Sequence, residues 1–205
     1  MNIQVKNTVK PIDYAKSIEI LEQRVHDVFL GKKDELLWII EHNSVYTAGT
    51  NSQKTDLLDK NLNIIKTNRG GKYTYHGPGQ KVVYFVLNLN KREKDIRKLL
   101  HRIENCIIEI LKEYNIKSYA DNKNIGIWVD SRKKSMKIAA IGIRVKKWIA
   151  YHGFALNIST DLSKYSGIIP CGIKNKGITR LKDLGISNYN NIDEIIIKKF
   201  LNIFL

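Results

Sequence analysis

A chain of 205 residues, 43% hydrophobic and 27% charged, has the make-up of one soluble globular domain large enough to bury a real core. Its net charge of +15 favours acidic partners. The lysines are scattered and no aromatic-rich RNA-binding signature accompanies them, so an acidic protein is expected and no nucleic acid. The opening MNIQVKNTVK lacks an apolar core and a small-residue cleavage site, and no apolar run could span a bilayer. Two cysteines, Cys106 and Cys171, make a weak case for a disulfide framework. The expected setting is therefore cytoplasmic, with no membrane.

From Asp13 to Phe29, apolar side chains at Tyr14, Ala15, Ile18, Leu21, Val25 and Val28 predict an amphipathic helix capped by Asp13. ELLWIIEH then reads as a buried strand and NSVYTAGTNS as a turn-rich connection. LNIIKTNRGG and KYTYHGPGQKVVYFVLNL supply further strands, the latter pair joined by a Gly-Pro-Gly turn. A second helix is predicted from about Asp95 to Tyr114, with Cys106 in its apolar stripe as a small buried hydrophobe. IGIWVD, MKIAAIGIRV and WIAYHGFALNI read as strands, the last two forming a hairpin around Lys146-Lys147. DEIIIKKFLNIFL is apolar at helical spacing and should dock on the core. The expectation is an α+β fold, a single domain over 1–205 with a mixed central sheet covered by helices.

RGGKYTYHGPGQ, residues 69–80, frames a short aromatic strand with glycines, and its Tyr-His-Gly recurs at Tyr151-His152-Gly153. Neither G-x-G-x-x-G nor a Walker pattern can be read there, so a nucleotide cradle is poorly supported. His76, His152 and Cys171 match no zinc spacing, and no metal is expected. In IIPCGI, Cys171 sits between a stiffening proline and a permissive glycine, a context that suits either a nucleophile at a cleft or a structural thiol. A nucleophilic thiol needs a nearby cation. Lys137 enters the otherwise apolar MKIAAIG, either as an ammonium inside the domain or as a strand cap in solvent.

EHNSVYTAGT, RGGKYTYHGPGQKVVYFVLNL, KIAAIGIRV, YHGFALNI and IPCGI together, in that order, make the chain resemble the lipoyl(octanoyl) transferases, the lipoate-protein ligase B family, over nearly its full length. The resemblance implies the fold of the biotin and lipoate protein ligases. It implies transfer of octanoyl from octanoyl-acyl carrier protein to a lysine of lipoyl domains, on 2-oxoacid dehydrogenase E2 subunits and the glycine cleavage H protein. That is the first step of endogenous protein lipoylation, and no cofactor is implied. Carried over, Cys171 is the acyl-thioester nucleophile and Lys137 lowers its pKa. The acyl pocket corresponds to Arg69, Gly70, Gly71, Lys72, Tyr73, Thr74, Tyr75 and His76, to Ala140, Ile141 and Gly142, and to Gly153, Phe154 and Ala155. His76 and His152 become wall residues. The chain departs from the family at Lys72, where glutamine is frequent, at Asn43-Ser44, where prolines are common, and at Arg180, where serine is frequent. An ATP-dependent ligase of the same fold or a non-catalytic carrier-binding module are the alternatives, and the retained Pro-Cys-Gly and Lys137 argue against both.

Overall fold

The computed structural model describes residues 2–131, 134–169 and 176–205. Its elements in chain order are β1 (Ile3–Asn7), α1 (Tyr14–Phe29), β2 (Glu35–Ile40), β3 (Val45–Ala48), β4 (Ile64–Lys66), β5 (Tyr73–His76) and β6 (Gln80–Asn88). There follow α2 (Ile96–Lys112), β7 (Ser118–Ala120), β8 (Ile127–Ser131), β9 (Lys134–Lys146), β10 (Ile149–Asn157), β11 (Gly177–Ile178) and α3 (Ile192–Phe204).

The expected cap at Asp13 rests on a hydrogen bond, and Asp95 caps the second helix in the same way. Asp13 Oδ1 accepts from the Lys16 amide at 3.0 Å, and Asp95 Oδ1 accepts from the amides of Arg97 and Lys98 at 2.8 and 3.0 Å. The main sheet runs β1-β2-β6-β10-β9-β8-β7, with β11 added in parallel beside β9. It is mixed, since β1 lies parallel to β2 while β2, β6, β10, β9, β8 and β7 alternate in direction.

Strands β2 and β6 read as unbroken apolar runs because both faces are covered. Leu36, Trp38, Val82, Tyr84 and Val86 pack under Leu21, Val25 and Val28 of α1. Leu37, Ile39, Val83, Phe85 and Leu87 face the other way, toward α2 and α3, where Cys106 is fully buried. Among the described residues no helix is long and apolar enough to cross a membrane.

Three features differ from the local reading of the sequence, the first being that Val45–Ala48, inside the expected turn-rich connection, forms β3 and pairs with β4 and β5. The Gly-Pro-Gly turn does not close a hairpin. β5 belongs to a second sheet, β4-β3-β5, whereas β6 enters the main one, so the turn at 77–79 carries the chain from one sheet to the other. The β9–β10 hairpin turns on Lys147 and Trp148, both with left-handed φ (51° and 62°), as a tight turn between twisted strands requires.

Candidate acyl-binding site

Small and large residues alternate in Ala140-Ile141-Gly142 and in Gly153-Phe154-Ala155. The antiparallel register of β9 and β10 sets Ala140 opposite Ala155 and Gly142 opposite Gly153. All four share one face, because side chains alternate along a strand. The result is a shallow apolar trough on the α1 side of the main sheet. Ile141 and Phe154 contribute backbone to it, while their side chains join the core beneath α2 and α3. Gly153 cannot carry a side chain, since a Cβ there would lie 1.9 Å from the Val83 carbonyl oxygen.

The 69–76 stretch forms the opposite wall. Arg69, Gly71, Lys72, Tyr73, Thr74 and His76 line the cavity. Gly70 and Tyr75 do not. The Gly70 amide bonds the Ile143 carbonyl at 3.2 Å, stitching the loop to β9. Tyr75 turns away, pairing its hydroxyl with Ser44 Oγ at 2.9 Å and its ring with Tyr46 and Tyr165. The Arg69 guanidinium is drawn into the wall by Thr47 Oγ1 at 2.6 Å and the Gly70 carbonyl at 3.0 Å.

The far end is aromatic. Tyr14, Tyr84 and His152 line it, and His42 stands behind, accepting the Tyr84 hydroxyl at Nε2 (2.8 Å) while its Nδ1–H donates to the Ile12 carbonyl (3.0 Å). His76 Nδ1 donates to Gln80 Oε1 at 2.6 Å, and His152 Nε2 donates to Asn68 Oδ1 at 2.7 Å. Burial, chiefly, lowers all three imidazoles, to about 4 for His42 and about 3 for His76 and His152, with Arg69 also repelling a proton from the latter two. They are neutral walls near pH 7. Among the described residues, no three His, Cys, Asp or Glu side chains gather as a metal site.

A smaller cavity shares Thr74, Ala140 and Ala155 with the first and is lined by Lys137, Gln80 and Asn157. Lys137 is 5% exposed, so it is an interior ammonium and not a cap in solvent. Its Nζ donates to the Ile125 carbonyl at 2.8 Å and lies 4.7 Å from the Trp128 ring centroid. Gly126 makes room for it, for a Cβ there would stand 3.2 Å from Nζ. No carboxylate among the described residues pairs with Lys137.

A hydrogen-bonded chain runs from Gln80, which holds the trough residue His76, to the backbone of Lys137. Gln80 Nε2 donates to Asn157 Oδ1 (2.9 Å), Asn157 Nδ2 to the Thr179 carbonyl (3.0 Å), and the Thr179 amide to the Lys137 carbonyl (2.9 Å).

Cys171 lies outside the described residues. Its described flanks are fixed. The Ile169 amide bonds the Asp56 carbonyl at 2.7 Å, and Ile178 pairs with Lys137. Lys176 forms a 2.7 Å ion pair with Asp121, which holds that carboxyl well below the usual range.

Lys72, Ser44 and Arg180, three of the departures from the family pattern, have local side-chain partners. Lys72 Nζ forms an ion pair with Asp56 Oδ2 at 2.9 Å, a charge contact more than an aligned hydrogen bond. Ser44 holds Tyr75, and Arg180 bonds the Ser159 and Thr160 carbonyls and Asp183.

The lipoyl protein ligase A/B catalytic domain family model matches residues 13–201. An octanoyltransferase of Ehrlichia chaffeensis is 48% identical over 196 residues, covering 94% of this chain and 92% of that protein. Among solved structures, lipoate-protein ligase A bound with ATP superposes with a TM-score of 0.78 at 14% identity, over 99% of this chain and 85% of the other. A biotin acetyl coenzyme A carboxylase synthetase of Helicobacter pylori gives 0.53 at 12% identity, over 98% and 74%, so the fold expected from the sequence is present. By sequence over nearly its whole length, and by the architecture around the trough, the chain belongs to the lipoyl protein ligase A/B catalytic domain family.

Proposed function

We propose that this protein is an octanoyltransferase that moves an octanoyl group from octanoyl-acyl carrier protein to a lysine of lipoyl domains, through a thioester on Cys171. The observation that carries the reading is the continuity of an apolar trough, floored by Ala140, Gly142, Gly153 and Ala155, with a buried Lys137 ammonium. A buried cation that meets no carboxylate among the described residues calls for an anion, and a thiolate supplies one.

In the first step the Cys171 thiolate attacks the donor carbonyl. A new C–S bond forms, the carrier C–S bond breaks, and the carrier sulfur leaves to take up a proton. In the second step the acceptor amine attacks the enzyme thioester, forming the C–N bond, losing its proton and returning the thiolate. Exchange between thioesters is nearly balanced, and amide formation drives the reaction forward. Lys137 favours the thiolate before attack and after release. Neutral His76 and His152 leave the trough apolar enough for an alkyl chain.

The donor is already activated, so neither ATP nor magnesium is required. The test incubates the protein with a lipoyl domain and either octanoyl-acyl carrier protein or free octanoate, with and without ATP, and reads acylation by intact mass. Modification from the carrier thioester alone is expected. Modification only from the free acid with ATP would replace this reading by an acid-activating ligase, and no modification at all would leave a binding module.

A further inference from the structure

Beside the trough, on the other side of Tyr73, lies a third cavity of about 540 Å³. Ala48, Leu57, Ile64 and Tyr73 give it an apolar floor, and Lys54, Lys60 and Lys66 stand around it. All three lysines are exposed, and among the described residues none pairs with a carboxylate. The nearby acidic groups are already engaged. Asp56 faces Lys72, and Asp59 accepts the Asn61 amide at 2.9 Å. Three unmatched ammonium groups over an apolar floor form a place for a ligand that is anionic at one point and weakly polar along its length.

The position of the cavity says more. Tyr73 lines both this groove and the trough, so the two adjoin at one ring. Leu57, in the groove, bridges Ile168, and the amides of Leu58 and Asp59 bond the Gly167 carbonyl at 2.9 and 3.0 Å.

We propose that this groove, walled by Lys54, Lys60 and Lys66, receives the phosphodiester and amide arm on which a carrier protein presents its acyl thioester. The proposal rests on the octanoyltransferase reading and adds to it the place where the donor is recognised. The acyl chain fills the trough, the arm passes Tyr73, and the single phosphate charge meets the lysines. An acceptor lysine brings no such anion, so the groove serves the donor half of the cycle.

The test compares two donors: octanoyl-acyl carrier protein, and the octanoyl thioester of N-acetylcysteamine, which has no phosphate and no protein. The variant carries Lys54→Ala, Lys60→Ala and Lys66→Ala together. A control of equal charge loss carries Lys98→Ala, Lys117→Ala and Lys198→Ala, which line neither cavity. Thermal melting confirms that both fold. The groove variant should raise KM for the carrier protein about tenfold, a penalty at least about fivefold larger than on the truncated donor, and flatten its salt dependence. The control should move the carrier KM by less than about threefold. Equal penalties on both donors, or equal effects of both variants, would overturn the proposal. Failure of the unmodified protein to turn over either donor would instead remove the octanoyltransferase reading, and this proposal with it.

Discussion

The ammonium of Lys137 is held 2.8 Å from the carbonyl oxygen of Ile125, inside the domain, at the point where β11 joins β9. A neutral carbonyl holds the group in place without cancelling its charge. That charge remains free to act on an anion brought beside it, a part the proposed mechanism gives to the Cys171 thiolate. Lys137→Met should therefore raise the pH at which Cys171 is alkylated by about 1–3 units and slow single-turnover acylation strongly. Lys137→Arg keeps the charge but demands a planar fork, so partial recovery is expected. Measuring iodoacetamide labelling of Cys171 against pH decides the matter, and superimposable profiles for Lys137→Met and the parent would place the lysine outside the thiol's reach.

The trough should act as a gauge of acyl length. Ala155 is 6% exposed and sits opposite Ala140. Ala155→Leu would place three further carbons on the floor between the two cavities. Turnover of an octanoyl thioester should fall about tenfold or more in kcat/KM, with a butanoyl thioester losing much less. Parallel losses for both donors would mean that the floor does not contact the alkyl chain.

The three buried imidazoles predict sensitivity to acid. Their folded values, about 4 for His42 and about 3 for His76 and His152, lie below the ordinary value of 6.5. The neutral ring is the form the fold accepts. Its contribution is complete above about pH 6.5 and is lost as pH falls toward 3–4, because the unfolded chain takes up protons first. At pH 5 the loss is roughly 2 kcal/mol for each histidine. Urea midpoints at pH 7.5 and 5.0 should differ accordingly, and equal midpoints would contradict the burial argument.

Cys106 should be silent in every thiol assay of the folded protein. It is fully buried in α2, and burial pushes its thiol up to about 12. Cys106→Ser should keep turnover while losing about 1–3 kcal/mol of stability to a buried hydroxyl. One labelled cysteine in the native protein and two after unfolding is the expected mass shift, and native labelling on Cys106 would count against it.

Much of this was legible in the sequence, for reasons that can be named. Asp13 announces its helix because a short acceptor ahead of an apolar stripe has few other uses. The pocket segments were identified by resemblance, and the strand period already separates Ala140 and Gly142 from Ile141, and Gly153 and Ala155 from Phe154. Tyr75 obeys the same alternation within its strand. Tyr14 and Tyr84 were missed as lining residues. Each sits in a pattern that reads as core, and only tertiary placement turns the ring toward the cavity. β1, β7 and β11 were missed as well, being short and without a distinctive turn, and β3 was hidden in a stretch rich in turn residues. The division into two sheets was hidden because Gly-Pro-Gly reports a change of direction and says nothing about which strand the chain meets next.

That division has a consequence for how the molecule can change. β2 and β6 are direct neighbours in the main sheet, yet residues 41–79 run between them. Arg69 to His76 and the three groove lysines all belong to that one excursion, whereas the trough floor and Lys137 come from 137–155. On the proposed reading, donor choice and bond chemistry are thus written largely in separate paragraphs of the gene. Exchanging 41–79 between two relatives would therefore show whether carrier preference travels with this one excursion, which leaves Lys137 and the trough floor in place and touches the Lys137 cavity through Thr74.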